Sequence, residues 1–202
     1  MSYQFLKQDQ LFYQRFLKSH GFYTGKLDGV WGPKTDAADK AFMQHSQNIA
    51  KQIGSFDHRS ESNLITLAPK VQTLARQFLK LCQDAKLDVR IISGTRTYAE
   101  QEALFRKGRY GNTEKRVTNA RGGQSNHNFG IAWDIGVFQG GKYLTTLKPY
   151  KDIATLVMPH FPNLAWGGHW ISFPDYPHYE HKATVDGVAH VRGLFENGKV
   201  YV

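Results

Sequence analysis

Residues that could do metal chemistry are grouped in "SNHNFGIAWDIG", residues 125–136, where His127 and Asp134 stand seven apart. The stretch has no helical or strand regularity before the aspartate. Small and apolar residues around Gly130 and Ala132 let a loop enter a core strand, which would present Asp134 beside His127. Imidazole and carboxylate both suit zinc, and a catalytic zinc takes three protein ligands while keeping one position open. The best downstream third ligand is His178 in "FPDYPHYEH". Two histidines and one carboxylate leave a coordination position at which water becomes nucleophilic near neutral pH. Asp175, three residues before His178, is then placed to take the water's proton. His181 offers an alternative third ligand through its H-x-x-H spacing; otherwise His181 and Glu180 read as an exposed tail.

These residues need a scaffold, and the chain supplies its signals. Apolar side chains at Leu11, Phe12, Phe16 and Leu17 make a helical stripe that Gly21 stops. A glycine-punctuated loop follows, then a second helix with Thr35 or a neighbour as cap and Ala37, Ala38, Ala41 and Phe42 on its apolar side. Residues 1–50 thus read as a compact helical hairpin. The polar, aperiodic stretch 51–63, "KQIGSFDHRSESN", reads as a linker, and a second unit occupies 64–202. Within it, 67–83 predicts an amphipathic helix, "DVRIISG" a strand, "TYAEQEALFRKG" a helix stopped by Gly108, and "GIAWDIGVF" and "KVYV" strands. The second unit is therefore expected to be α+β, a mixed or antiparallel sheet with flanking helices.

Composition bounds the partners. The 202 residues are 41% hydrophobic and 13% aromatic, enough for a packed core. A formal net charge of +9 points to a polyanionic neighbour: nucleic acid, an anionic membrane surface or an acidic wall polymer. Nucleic acid is excluded by the lack of any basic stripe with interleaved aromatics. Cys82 is the only cysteine, so no internal disulfide forms, and its apolar surroundings predict a buried structural thiol. No run approaches the length of a membrane span and the N-terminal stretch lacks a signal-type apolar region, so the chain is expected to be made in the cytoplasm without membrane insertion.

The motifs "SNHNFGIAWD" (S-x-H-x-x-G-x-A-x-D) and "DYPHYE" (D-x-x-H) resemble those of the VanY/VanX-like zinc peptidases, peptidase family M15. Residues 91–180 are similar to the L-alanyl-D-glutamate endopeptidase branch found in phage endolysins. The resemblance implies Zn2+ held by His127, Asp134 and His178, with Asp175 as general base on the activated water. Arg96, in "SGTRT", would hold and polarise the substrate carbonyl or the oxyanion, a role suited to a guanidinium that keeps its charge and offers several donors. Ser125 and Gln124 are candidates for lining the substrate pocket or for bonding within the loop. His169, in "WGGHW", lies near the site without a role in it.

Residues 16–42 resemble the peptidoglycan-binding type 1 domain, a small all-α three-helix module, through Gly21, Phe22, Gly25, Asp28, Gly29, Trp31, Gly32 and Thr35. Asp28 would bond loop amides, and Trp31 would fill the small core or stack on a sugar; Tyr23 and Lys26 are the candidate wall contacts. The two resemblances together imply a monomeric, wall-anchored zinc endopeptidase acting on peptidoglycan, most directly at the L-Ala–D-Glu bond. An endolysin released by a holin, or a bacterial lysis or secretion-associated enzyme, fits that reading. The alternatives are a D,D-carboxypeptidase on D-Ala termini and a catalytically silent wall-binding protein.

Overall fold

The computed structural model describes residues 7, 9–182 and 187–202. Residues 1–6 and 8 of the expected 1–50 module, and 183–186 of the expected 64–202 unit, lie outside the described residues.

The N-terminal hairpin consists of α1 (Gln10–Ser19) and α2 (Pro33–Ile53). Asp9 caps α1 by accepting from the Phe12 amide at 3.0 Å, and His20 closes it just before Gly21. The cap of α2 is Gly32 with Pro33 in the first turn, and no side chain caps it. Thr35, expected as a cap, is buried one turn further in, where it accepts from Gln14 Nε2 at 3.2 Å. Proline at the first helical position needs no amide partner, which makes a hydroxyl cap dispensable there.

The stretch 51–63, expected as a linker, is structured. It holds the last turn of α2 and most of α3 (His58–Leu64). Its polar residues are used locally, which is why they show no hydrophobic period. Asp57 caps α3 through the Arg59 and Ser60 amides, and Ser60 Oγ and Asn63 Nδ2 bond the Ile91 amide and carbonyl at 3.0 and 3.1 Å. These bonds satisfy backbone groups on an outer strand, blunting an edge otherwise open to pairing. Glu61 takes both ends of the fully buried Arg76 guanidinium at 2.8 Å, tying α3 to α4 (Pro69–Asp84). Glu61→Ala strands that charge, and removing one partner of a buried pair costs about 3 kcal/mol. A fall in the urea midpoint at unchanged slope is the expected reading.

The α+β unit is built on an antiparallel sheet in the order β1 (Asp88–Ser93), β2 (Ala132–Gln139), β5 (His178–His181), β4 (Leu164–Trp166), with β3 (Lys142–Tyr143) on β2. Around it lie α5 (Tyr98–Arg106), α6 (Leu147–Val157) and α7 (Gly187–Glu196). Alternation along β2 sends Trp133 and Ile135 to the core face, where Phe78 of α4 meets the rings of Trp133 and Tyr179 at 5.9 and 4.8 Å. Cys82 is buried on the same helix, its thiol pushed up to about 12 by burial.

"KVYV" forms no strand. Its Tyr201 is anchored by its side chain, not by a ladder, which gives an apolar alternation without strand pairing. The core is continuous: Phe12, Phe16 and Phe42 of the hairpin belong to the same buried cluster as Phe129, Trp133 and Phe195. Tyr23 is part of it, 6% exposed, with its hydroxyl donating to the Lys26 carbonyl at 2.7 Å. Its ring is therefore not offered to a wall polymer. Trp31 is half-buried and stacks on Tyr13 at 6.0 Å, whereas Lys26 and Asp28 are exposed. Asp28 accepts from the Val30 amide and from Gln14 Nε2, both at 3.0 Å, the loop-bonding role expected of it.

Candidate metal centre and active site

Strand register places two of the three candidate ligands. Asp134 on β2 lies directly opposite His178 on β5 and, on its other side, Ser93 of β1. An irregularity between Ile91 and Ser93 ends the β1 ladder and turns the chain towards Arg96. The third ligand comes from a 3-10 turn, Asn126–Phe129, which Ser125 caps and Gly130 closes. Gly130 sits at φ +66°, and a Cβ there would come within 2.9 Å of the Ala68 amide nitrogen and the Phe16 ring. Only glycine lets the chain leave the turn and enter β2 in so little space.

The resulting geometry is a triangle. His127 Nε2 lies 3.1 Å from Asp134 Oδ1 and 3.2 Å from His178 Nδ1, and the third side, His178 Nδ1 to Asp134 Oδ1, is 3.1 Å. Ligands about 2.0–2.1 Å from a tetrahedral zinc would be roughly 3.3–3.4 Å apart, so the triangle is close to one face of that tetrahedron.

The other ring nitrogens settle which atoms face inward. His127 Nδ1 is 2.7 Å from the Gly94 carbonyl, which only accepts, so Nδ1 carries the proton and Nε2 offers its lone pair to the centre. His178 Nε2 is 2.9 Å from Glu180 Oε2, which also accepts from Asn126 Nδ2 at 2.8 Å, leaving Nδ1 of the neutral ring turned inward. Two imidazole lone pairs and a carboxylate oxygen converging on one point form a donor set that fits a divalent cation.

Without a cation the same groups hold their protons differently, and His178 must give one up before its Nδ1 can act as a donor. Burial raises the Asp134 pKa, but the charges of His127 and Arg96 and the histidine hydrogen bonds outweigh it and hold the carboxyl well below the usual range. Burial, followed by the Arg96 charge, pulls His127 down to about 4. Burial also disfavours charged His178, yet its hydrogen bonds to Asp134 and Glu180 push it up to about 9. Asp175 is raised to about 6, first by burial and then by the Asp134 charge.

All of these groups border one cleft of about 770 Å3, together with Arg96, Gln124 and Ser125. Arg96 donates to Asp134 Oδ2 and, at 2.7 Å, to Ser93 Oγ, while its amide bonds the His127 carbonyl at 3.0 Å. It thus braces two ligands as well as bordering the cleft. Gln124 Oε1 accepts from the Arg121 amide at 3.1 Å, and Ser125 Oγ from the His127 amide at 3.4 Å. Trp170 and Phe173, each 38% exposed, form an apolar rim, with the Trp170 ring 4.8 Å from that of His178.

Comparison with known proteins adds a family to this geometry. The peptidoglycan L-alanyl-D-glutamate endopeptidase CwlK of Bacillus subtilis (strain 168) is 32% identical over 124 residues, which cover 56% of this chain and 72% of that protein. The sequence model of one M15 peptidase family, described as D-alanyl-D-alanine carboxypeptidase, matches residues 118–181. The chain belongs to the M15 peptidase family. Among solved structures, the L-Ala D-Glu endopeptidase ChiX of Serratia marcescens matches with a TM-score of 0.48 and 24% identity, over 62% of this chain and 88% of that one.

In this M15 peptidase the structure brings His127, Asp134 and His178 together and sets Asp175, Arg96, Ser125 and Gln124 around the same cleft. It does not bring in His181, whose ring lies outside the triangle and whose buried Nδ1 has no hydrogen-bond partner among the described residues. His169 packs edge-on against Trp166 at 5.0 Å and is not among the cleft residues. Sequence reasoning missed Glu180, which orients His178 instead of belonging to an exposed tail, and Asn126, which holds Glu180. The available signal was H-x-E: residues two apart on a strand share a face.

Proposed function

We propose that this M15 peptidase is a zinc-dependent peptidoglycan endopeptidase that hydrolyses the stem peptide between L-Ala and D-Glu. The observation that carries the reading is the His127–Asp134–His178 triangle bordering a cleft that Asp175 shares. The activity of the Bacillus relative supports the choice of polymer and bond. When bound, zinc supplies Lewis-acid polarisation of the amide carbonyl and lowers the pKa of a water molecule. Asp175 takes the proton from the attacking water and returns it to the leaving amine, a role suited to a carboxylate with a pKa near 6. Arg96 keeps Asp134 ionised and in place, and its fixed positive charge favours negative charge developing on the carbonyl oxygen. Gln124 and Ser125 line the substrate path, and the apolar rim of Trp170 and Phe173 limits water access.

The N-terminal segment 1–50 is the wall-attachment part of this reading, with exposed Lys26 as a contact and half-buried Trp31, packed by Tyr13 and Lys7, serving the small core. Attachment raises the local concentration of the catalytic cleft along a polymeric substrate without adding a catalytic contact. The net charge of +9 suits an anionic wall. A monomer acting on the wall as an endolysin completes the proposal; among the described residues no helix is long and apolar enough to cross a membrane.

A second reading, a carboxypeptidase releasing D-Ala, is favoured by the description of the matching family model. Mass spectrometry of fragments released from purified peptidoglycan separates the two. Stem peptides beginning at D-Glu are expected, and release of D-Ala alone would replace the endopeptidase by the carboxypeptidase.

A further inference from the structure

The turn that carries His127 is held from behind by residues remote in sequence. The Tyr201 hydroxyl donates to the Phe129 carbonyl at 2.6 Å and lies 3.0 Å from His20 Nε2. Since that hydroxyl's one proton is committed to Phe129, it must accept from His20, whose Nε2 is then the protonated nitrogen. Burial, followed by the Lys70 charge, lowers His20 to about 3, so the ring is neutral at physiological pH and has one N–H to give. The relay joins the end of α1, residue 201 and the 3-10 turn.

Packing makes this junction stiff. The His20 ring lies edge-on to Phe16 at 4.7 Å and to Tyr201 at 5.1 Å, and Phe195 meets Phe129 and Tyr201 at 5.4 and 6.2 Å. Phe129 and Tyr201 are 0% and 5% exposed. Next to them the Ala68 amide donates to the Gly130 carbonyl at 2.9 Å. Phe129 is two residues from His127 within one closed turn, so displacing its carbonyl displaces the imidazole that must point at the centre of the triangle.

We propose that Tyr201 is a positioning residue for His127, acting through the Phe129 carbonyl, with His20 holding the hydroxyl in its donating orientation. The N-terminal hairpin is then a working part of the metal site. The inference rests on the proposed metal site, but not on which peptide bond is cut.

The test uses the full chain and cobalt(II) as probe, reading affinity by competition with a chromophoric chelator and ligand geometry by the visible d–d bands. Tyr201→Phe is expected to weaken cobalt binding about tenfold, the lower end for an outer partner of a ligand, and to shift the bands. His20→Phe, which keeps a ring against Phe16, should give a smaller loss in the same direction. Val157→Ala, a buried truncation in α6, serves as a control for general destabilisation and should leave affinity and bands unchanged. Wild-type affinity and bands in Tyr201→Phe would overturn the inference, as would an equal loss in Val157→Ala. If Tyr201→Phe fails to fold, unchanged affinity and bands in His20→Phe would do the same. Failure of the wild-type chain to bind cobalt would remove the metal site itself.

Discussion

Asp175→Asn is expected to lower kcat by about 10²–10⁴-fold, the span for loss of a general acid–base group, while the chain keeps its metal. Asp175 is outside the ligand triangle, so its loss spares all three ligand atoms. Asparagine keeps the size and polarity of the side chain but cannot take a proton near neutral pH. The pH profile gives an independent sign. With its pKa raised to about 6, Asp175 is a carboxylate above that pH and loses its basicity as pH falls through it. A bound cation favours the carboxylate, so the acid limb of kcat should have its midpoint at or below about 6. Steady-state hydrolysis of purified peptidoglycan, with bound metal assayed on the same sample, checks both statements. A loss below tenfold, or loss of metal along with activity, would take the base role from Asp175.

The second large effect concerns the ligands. His127→Ala removes one corner of the triangle and should weaken zinc binding by more than about 100-fold, beyond the range for outer partners, abolishing activity at limiting metal. His181→Ala should leave zinc binding intact, because His181 is not part of the ligand group. Proton release supplies the sign. With its pKa pushed up to about 9, His178 is protonated at pH 7.5 in the metal-free chain, and it must lose that proton to bind. Zinc binding at that pH should release about one proton, and affinity should fall as pH is lowered. Calorimetry in buffers of different ionisation enthalpy measures this; zinc binding with full activity in His127→Ala would place the metal elsewhere.

How much of this was legible in the sequence differs by element. The strand bearing Asp134 was readable because strand alternation is local, whereas grouping His178 with His127 and Asp134 took the pairing of two separate motifs, with Asp134 and His178 standing 44 residues apart. α3 was not: its serine, asparagine and acidic residues look like linker chemistry until β1 and Arg76 are seen to need them. Tyr23 was misplaced for the opposite reason, since an aromatic in a glycine-rich loop reads as a contact residue until its ring enters the core. Glu180 did carry a local mark, the H-x-E spacing that sets it beside His178 on one strand, whereas Tyr201 acts across the whole chain, where no local pattern marks a partner. Arg96 was found, but its bond to the ligand carboxylate became visible only once strand register set Ser93 beside Asp134.

In the proposed function, His127, Asp134 and His178 form one metal site on which peptidoglycan hydrolysis depends. Titrating zinc into the chelated wild-type chain, with bound metal and released stem peptide followed together, tests it most directly. Activity should be absent at zero metal, rise in proportion to bound zinc and break at one equivalent per chain. Hydrolysis that persists in the fully chelated chain, or zinc that binds without restoring it, would contradict the account.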